Sequence, residues 1–176
     1  MADPPVPPTP TPTPARNPRS KKQLAMWVVL GGLGLFLLIQ LVPYGRDHKN
    51  PPVTQAAVFH SATVNQIITD SCADCHSNLT KWPWYTNVAP ASWLVTSDVN
   101  GGRENLNLSE WNTPQPALDR VVRAIQSGSM PPLKYKVMPN HSKARLSSTQ
   151  KKELIAGFTQ LYATQPPVAI RQGGGG

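Results

Sequence analysis

Apolar and polar positions divide this chain into stretches of different character. Residues 2–18, ADPPVPPTPTPTPARNP, alternate proline with small and polar residues and have no period that could build a packed face. Such a run is predicted to be extended and polyproline-like, serving as a flexible tail or a docking segment. Residues 24–42, LAMWVVLGGLGLFLLIQLV, are then apolar over nineteen positions, with Gln40 as the polar member. At ~1.5 Å per residue this length crosses a hydrocarbon layer of ~30 Å. Trp27 and Tyr44, near its two ends, suit the interfaces.

Beyond Val42 the pattern changes. Residues 43–54 contain proline and glycine and read as a linker. In QAAVFHSATVNQIITD, 55–70, Val64, Ile67 and Ile68 share a helical face. In PALDRVVRAIQSG, 116–128, Leu118, Val121, Val122 and Ile125 form one stripe, Pro116 suits the first turn and Gly128 stops the helix. In LSSTQKKELIAGFTQLY, 146–162, Ser147 and Gln150 can form a capping box, and Leu154, Ile155, Phe158, Leu161 and Tyr162 make the buried face. Residues 77–115 read as loop, with four tryptophans and no lasting period. No strand pattern and no internal repeat is visible, and RQGGGG at the C-terminus reads as a flexible tail.

Charge adds topology. The 176 residues carry a formal +8. Arg16, Arg19, Lys21 and Lys22 precede the apolar stretch, so the positive-inside rule puts the N-terminus in the cytoplasm and everything after Val42 outside. The stretch exceeds a signal core, and the following VPYGRDHKN offers no small-x-small cleavage site, so it reads as an uncleaved anchor. The remainder has thirteen Lys/Arg and eight Asp/Glu, a solvated +5. No basic run interleaves with aromatics, so nucleic acid is not an indicated partner. The expected division is a Pro-rich cytoplasmic tail (1–23), a transmembrane anchor (24–42), a linker (43–54), a small, loop-rich, mainly α domain (55–165) and a tail (166–176). Twenty prolines and three phenylalanines leave that domain short of apolar core, a deficit that a flat apolar cofactor would fill.

The sequence Cys72-Ala73-Asp74-Cys75-His76 points to that cofactor. Two thiols three positions apart on a helical turn can each add to one vinyl group of a haem, and the adjacent histidine is then held under the iron. These are the chain's two cysteines, too close for a stapling disulfide. A thioredoxin-like dithiol would need a βαβ setting, and none is visible; a zinc site would need further ligands, such as His60 or His141. The motif predicts one covalent haem c held by Cys72 and Cys75, with His76 on the iron. For the sixth position Met130 leads, because SGSMPPL lies between two predicted helices and Pro131 and Pro132 stiffen the loop. Met138 and His141 are the alternatives, followed by His48 and His60. A thioether ligand would raise the potential relative to a second histidine.

The residues CADCHSN, TKWPWYTNVAPASWLVTSDVNGGRENLNLSEW, GSMPPLKYKVMPNH and ARLSSTQKKEL resemble the haem-binding domain family of bacterial exported cytochromes. The shared features are C-x-x-C-H-S, W-P-W-Y, S-W-x-x-x-x-D-V, G-R-x-x-L-N-x-S-x-W and a late M-P-P, over residues 55–162. VMPNH departs from the family's apolar-x-His-Pro and adds Met138 as a ligand candidate. The resemblance implies a monohaem c-type cytochrome domain with Cys72, Cys75 and His76 binding the haem. Trp82, Trp84, Tyr85, Trp93 and Trp111 are then expected to pack against the haem and one another. Trp82, Tyr85, Trp93, Arg103 and Tyr135 are candidates for the pocket, with Arg103 either pairing a haem propionate or standing as a plain surface arginine.

The expected function is one-electron transfer on the periplasmic face of the inner membrane, without catalytic residues of its own. The partners would be the lipid bilayer and a redox protein: a respiratory or photosynthetic complex, or the assembly of which this chain is a subunit. The competing reading is a haem enzyme or a gas or redox sensor with an open iron site, which a visible spectrum with and without carbon monoxide distinguishes.

Overall fold

The computed structural model describes Met1 and residues 20–169. The Pro-rich run and the glycine tail therefore lie largely outside the described residues. The chain forms two compact units, divided after Leu41.

The first unit is built around α1 (Lys21–Ile39), which is long and apolar enough to cross a membrane. Ser20 caps it: its hydroxyl accepts from the Gln23 N–H at 3.3 Å, while the Gln23 side chain accepts from the Ser20 N–H at 3.1 Å. This capping box starts the helix three residues before the apolar run, and the helix ends at Ile39 rather than continuing to Val42. None of its residues is buried.

The second unit is mainly helical. Its order is α2 (Ala62–Ser71), α3 (Ala73–His76), a 3-10 turn at Trp84–Asn87, α4 (Ala91–Asn105), β1 (Pro114–Gln115), α5 (Leu118–Gln126), α6 (Leu133–Val137), a 3-10 stretch at Pro139–Ala144, α7 (Ser148–Thr164) and β2 (Val168–Ala169). The apolar core joins Val64, Ile67 and Ile68 of α2, Val121 and Ile125 of α5, and Leu154, Phe158 and Leu161 of α7, with Phe59, Leu108 and Trp111. Each fully buried large side chain here contributes ~1.5–3 kcal/mol. Phe59 meets Phe158 edge-on at 5.3 Å, and Trp111 meets Tyr162 edge-on at 5.4 Å. The expected capping box of α7 is present, with the Ser147 hydroxyl and the Gln150 side chain bonded reciprocally.

Several expectations need correction. The helix foreseen over 55–70 begins only at Ala62, where Ser61 caps it through the Val64 N–H. Residues 55–60 are not helical, because their backbone is taken by the 108–111 segment: Ala57 N–H donates to Leu108 O at 2.8 Å, and Trp111 N–H to Gln55 O at 2.8 Å. Pro116 stands before α5 rather than in its first turn, since Ala117 occupies the N-cap. The stretch 77–115, expected to be loop, contains the fifteen-residue α4. Two short strands, neither foreseen, pair in parallel: Pro114 with Val168 and Gln115 with Ala169.

The segment expected as a linker, 43–54, is bound along the domain. Gly45 sits at φ +79 with its carbonyl accepting from Thr96 Oγ1 at 3.1 Å; a Cβ there would lie 2.5 Å from Ser92 O. His48, at φ 43, stacks on Trp82 with ring centroids 4.8 Å apart, and its Nε2 is 2.9 Å from Thr86 Oγ1. These contacts hold a non-glycine residue in the left-handed region.

At the crossing of α2 and α7 a Cβ added to Gly157 would stand 2.7 Å from Val64 Cγ1. Alanine would gain about 1 kcal/mol of helix propensity but meet an overpacking cost of ~1–3 kcal/mol. Gly157→Ala is therefore expected to lower the melting temperature, and the double variant with Val64→Ala to be more stable than the two single effects added. Thermal unfolding followed by far-UV circular dichroism measures both; additive effects would contradict the close crossing.

Candidate haem-binding site

The motif residues share one tight turn. Cys72 ends α2, its N–H donating to Ile68 O at 2.9 Å, and also serves as the N-cap of α3. The N–H groups of Cys75 and His76 both return to Cys72 O, at 3.2 and 2.9 Å. Spacing of three residues places Cys72 and Cys75 on one face, with His76 directly after. Both cysteines are free thiols.

His76 is oriented from a distance. Its Nδ1–H donates to the carbonyl of Leu106, 3.0 Å away, and since a carbonyl can only accept, the neutral ring keeps its lone pair on Nε2. Burial pulls His76 below the usual imidazole range, partly opposed by the carbonyls of Leu106 and Gly102. A neutral ring with Nδ1–H committed to a carbonyl is the state a metal-ligating histidine needs. The chain around it is closed by Leu108 N–H, which donates to His76 O at 2.8 Å.

Helix α4 supplies the seat. A Cβ on Gly102 would lie 2.3 Å from Cys75 O and 3.1 Å from Cys75 Cβ, so backbone meets backbone there. One residue on, Arg103 donates from Nε to Ser77 O (2.8 Å), from Nη1 to Lys49 O (3.0 Å), and from Nη2 to Asn50 Oδ1 and Thr80 Oγ1 (both 2.8 Å). It thus ties the loop after the motif to the 43–54 segment, and its nitrogens are committed to protein groups. Sequence reasoning missed a buried polar network beneath. Asn78 donates to Pro52 O and to Glu110 Oε1, accepts from Asn107, and through its N–H reaches Ser109 Oγ. The L-N-x-S motif was its available signal.

The remaining candidates separate. Tyr85 and His141 share a hydrogen bond at 2.9 Å, and the Tyr135 ring lies 5.3 Å from that of His141. Burial raises both tyrosines, helped by the charge of Asp74 at Tyr85 and by the hydrogen bond and charge of Asp98 at Tyr135. Trp82 instead stacks on His48 and donates to Asn50 Oδ1 at 3.2 Å. Trp93 is nine residues from Gly102, which faces Cys75, so the two occupy opposite sides of α4. The Trp93 Nε1 is buried without a hydrogen-bond partner among the described residues. Trp111 belongs to the apolar core and Trp84 is 79% exposed, so the tryptophans do not form one cluster.

Of the sixth-ligand candidates, His48 and His141 have side-chain partners and His60 is exposed. Met130 and Met138 are 40% and 38% exposed, and the Met130 N–H is fixed on Ala124 O at 3.1 Å. Among the described residues no three His, Cys, Asp or Glu gather as a metal site, so the zinc reading finds no ligand set. Two free thiols on one face beside a histidine with an available Nε2 fit a haem.

Comparison with known families matches residues 34–160 to one described as a haem-binding domain. The chain belongs to the haem-binding domain family. No curated protein and no solved structure matches it. The family match starts at residue 34, upstream of the resemblance at 55–162.

The thiols give a pH-dependent test. Burial pushes Cys72 up to about 12, with the neighbouring Cys75 adding to it; burial, then Asp98 and Asp74, push Cys75 up to about 11. Folding thus favours the neutral thiols, a preference that is lost as pH rises toward those values. In the haem-free chain at pH 8, iodoacetamide is expected to alkylate Cys75 on the order of 100-fold more slowly than in denaturant, and Cys72 more slowly still. Equal rates in folded and denatured chains would contradict it; peptide mass spectrometry measures both sites.

Proposed function

We propose that this chain is a membrane-anchored monohaem c-type cytochrome, an electron carrier rather than an enzyme. It would work on the periplasmic face of the inner membrane, exchanging electrons with a respiratory or photosynthetic complex or serving as a subunit of one. The observation that carries this reading is His76, whose Nδ1–H is committed to Leu106 O while two free thiols stand on the same turn.

Haem supplies an iron that gains and loses one electron. Cys72 and Cys75 would each add S–H across a vinyl C=C, sulfur to one carbon and hydrogen to the other, leaving two thioether bonds. His76 Nε2 would ligate the iron, with the Leu106 carbonyl fixing its tautomer and strengthening its basicity. Met130 would be the second protein residue to hold the iron, and its thioether would raise the potential relative to a second histidine. Its support is placement: the loop between α5 and α6 is fixed by the Met130 N–H at one end and by the start of α6 at Leu133 at the other. Helix α1, preceded by Arg16 and Arg19, supports a single span with the N-terminus inside.

Intact mass analysis should find one haem per chain that survives denaturation and acid–acetone extraction; a haem that washes out would overturn covalent attachment. Met130→Ala should abolish the sulfur-to-iron charge-transfer band, lower the potential and open the iron to carbon monoxide, whereas Met138→Ala should leave the band. The opposite result moves the ligand to Met138, and insensitivity to both favours His141.

The anchor has its own measurement. The mature chain should retain residues 24–42 and need detergent for extraction. A soluble product starting after Val42 would show cleavage instead.

A further inference from the structure

The S-W-x-x-x-x-D-V stretch carries an acidic residue, Asp98. Asp98 lies on α4, four residues before Gly102, and so on the same helix face one turn away. Its carboxylate accepts from Lys134 Nζ, which lies 2.7 Å from both oxygens, and from the Tyr135 hydroxyl at 2.5 Å through Oδ2. Both donors belong to α6, the first helix after Met130-Pro131-Pro132. The Asp98 side chain is 22% exposed, so this pairing is less screened than the surface pair of Asp119 with Arg123.

One helix therefore holds both sides of the proposed iron site. At Gly102 it seats the turn bearing Cys75 and His76, and at Asp98 it grips the helix that follows the methionine loop. Pro131 and Pro132 lock φ, so a shift of α6 passes into the placement of Met130 rather than being absorbed between them. At its other end the loop is fixed by the Met130 N–H on Ala124 O.

We propose that Asp98 is a positioning residue that sets the separation of the two iron ligands, holding α6 and the Met130 loop in register with the Cys72–His76 turn. This rests on the reading of Met130 as sixth ligand.

The test uses the full-length haem-loaded protein. Asp98→Ala should keep one covalent haem per chain but weaken the sulfur-to-iron band and raise the carbon-monoxide-reactive fraction about tenfold, as expected from losing hydrogen bonds to a charged group. Asp98→Asn, which keeps the shape but not the charge, should fall between wild type and Asp98→Ala. Lys134→Met combined with Tyr135→Phe should reproduce Asp98→Ala. Asp119→Ala, which makes the same charge change at an exposed pair, should leave band and carbon monoxide reactivity unchanged. A wild-type band that survives intact in Asp98→Ala overturns the proposal alone. So does loss of covalent haem in Asp98→Ala while Asp98→Asn keeps a full band. A wild-type protein without the band overturns the Met130 reading and this proposal together.

Discussion

The ligand side of this domain depends on how closely α4 approaches the C-x-x-C-H turn. At Gly102 there is no room for a Cβ, because the carbonyl and side-chain stem of Cys75 occupy that space. This contact brings the end of α4 beside His76, so that the next turn of chain can offer Leu106 O to the imidazole. The path continues through Leu108, whose N–H closes on His76 O, and into the 107–110 segment that receives Asn78. A larger residue at Gly102 would push apart the turn that carries Cys75 and His76 and the carbonyl that orients His76.

The core is divided between two kinds of material. Between α2, α5 and α7 it is aliphatic and aromatic. Around the motif it is polar, with Asn78, Asn107, Ser109 and Gln115 buried and mutually bonded. Each such bond adds a net ~0.5–1.5 kcal/mol, whereas leaving a buried partner unpaired costs ~1–3 kcal/mol. The polar half therefore tolerates few alternative arrangements, which suits loops that must hold their course without regular structure.

Sequence patterning found what packs through apolar side chains. The faces of α2 and α7 were legible from Val64, Ile67, Ile68, Leu154, Phe158 and Leu161, and the cap of α7 from Ser147 and Gln150; the Ser61 cap of α2 was missed, because the apolar pattern was extended back to residue 55. Helix α4 escaped because its buried residues, Ser92, Thr96, Val99 and Gly102, have helical spacing but little hydrophobicity, and Gly101-Gly102 reads as a breaker. The 43–54 segment read as a linker because what binds it, Thr86, Thr96 and Arg103, lies some forty to fifty residues away. In the site, the cysteines and His76 announce themselves locally. The Leu106 carbonyl does not, since any residue supplies one, and the grip of Asp98 on Lys134 and Tyr135 spans a distance that no local pattern records.

The crossing of α2 with α7 joins residues more than ninety positions apart, Val64 and Gly157. Until α7 packs, Val64, Ile67 and Ile68 have no complete core to enter. The helix that leads into the C-x-x-C-H turn is thus finished only by a contact of long sequence separation, whose loop-closure entropy must be met before the contact is gained. Closure of this half of the domain is therefore a slow step in folding, and the turn is held in place only after it.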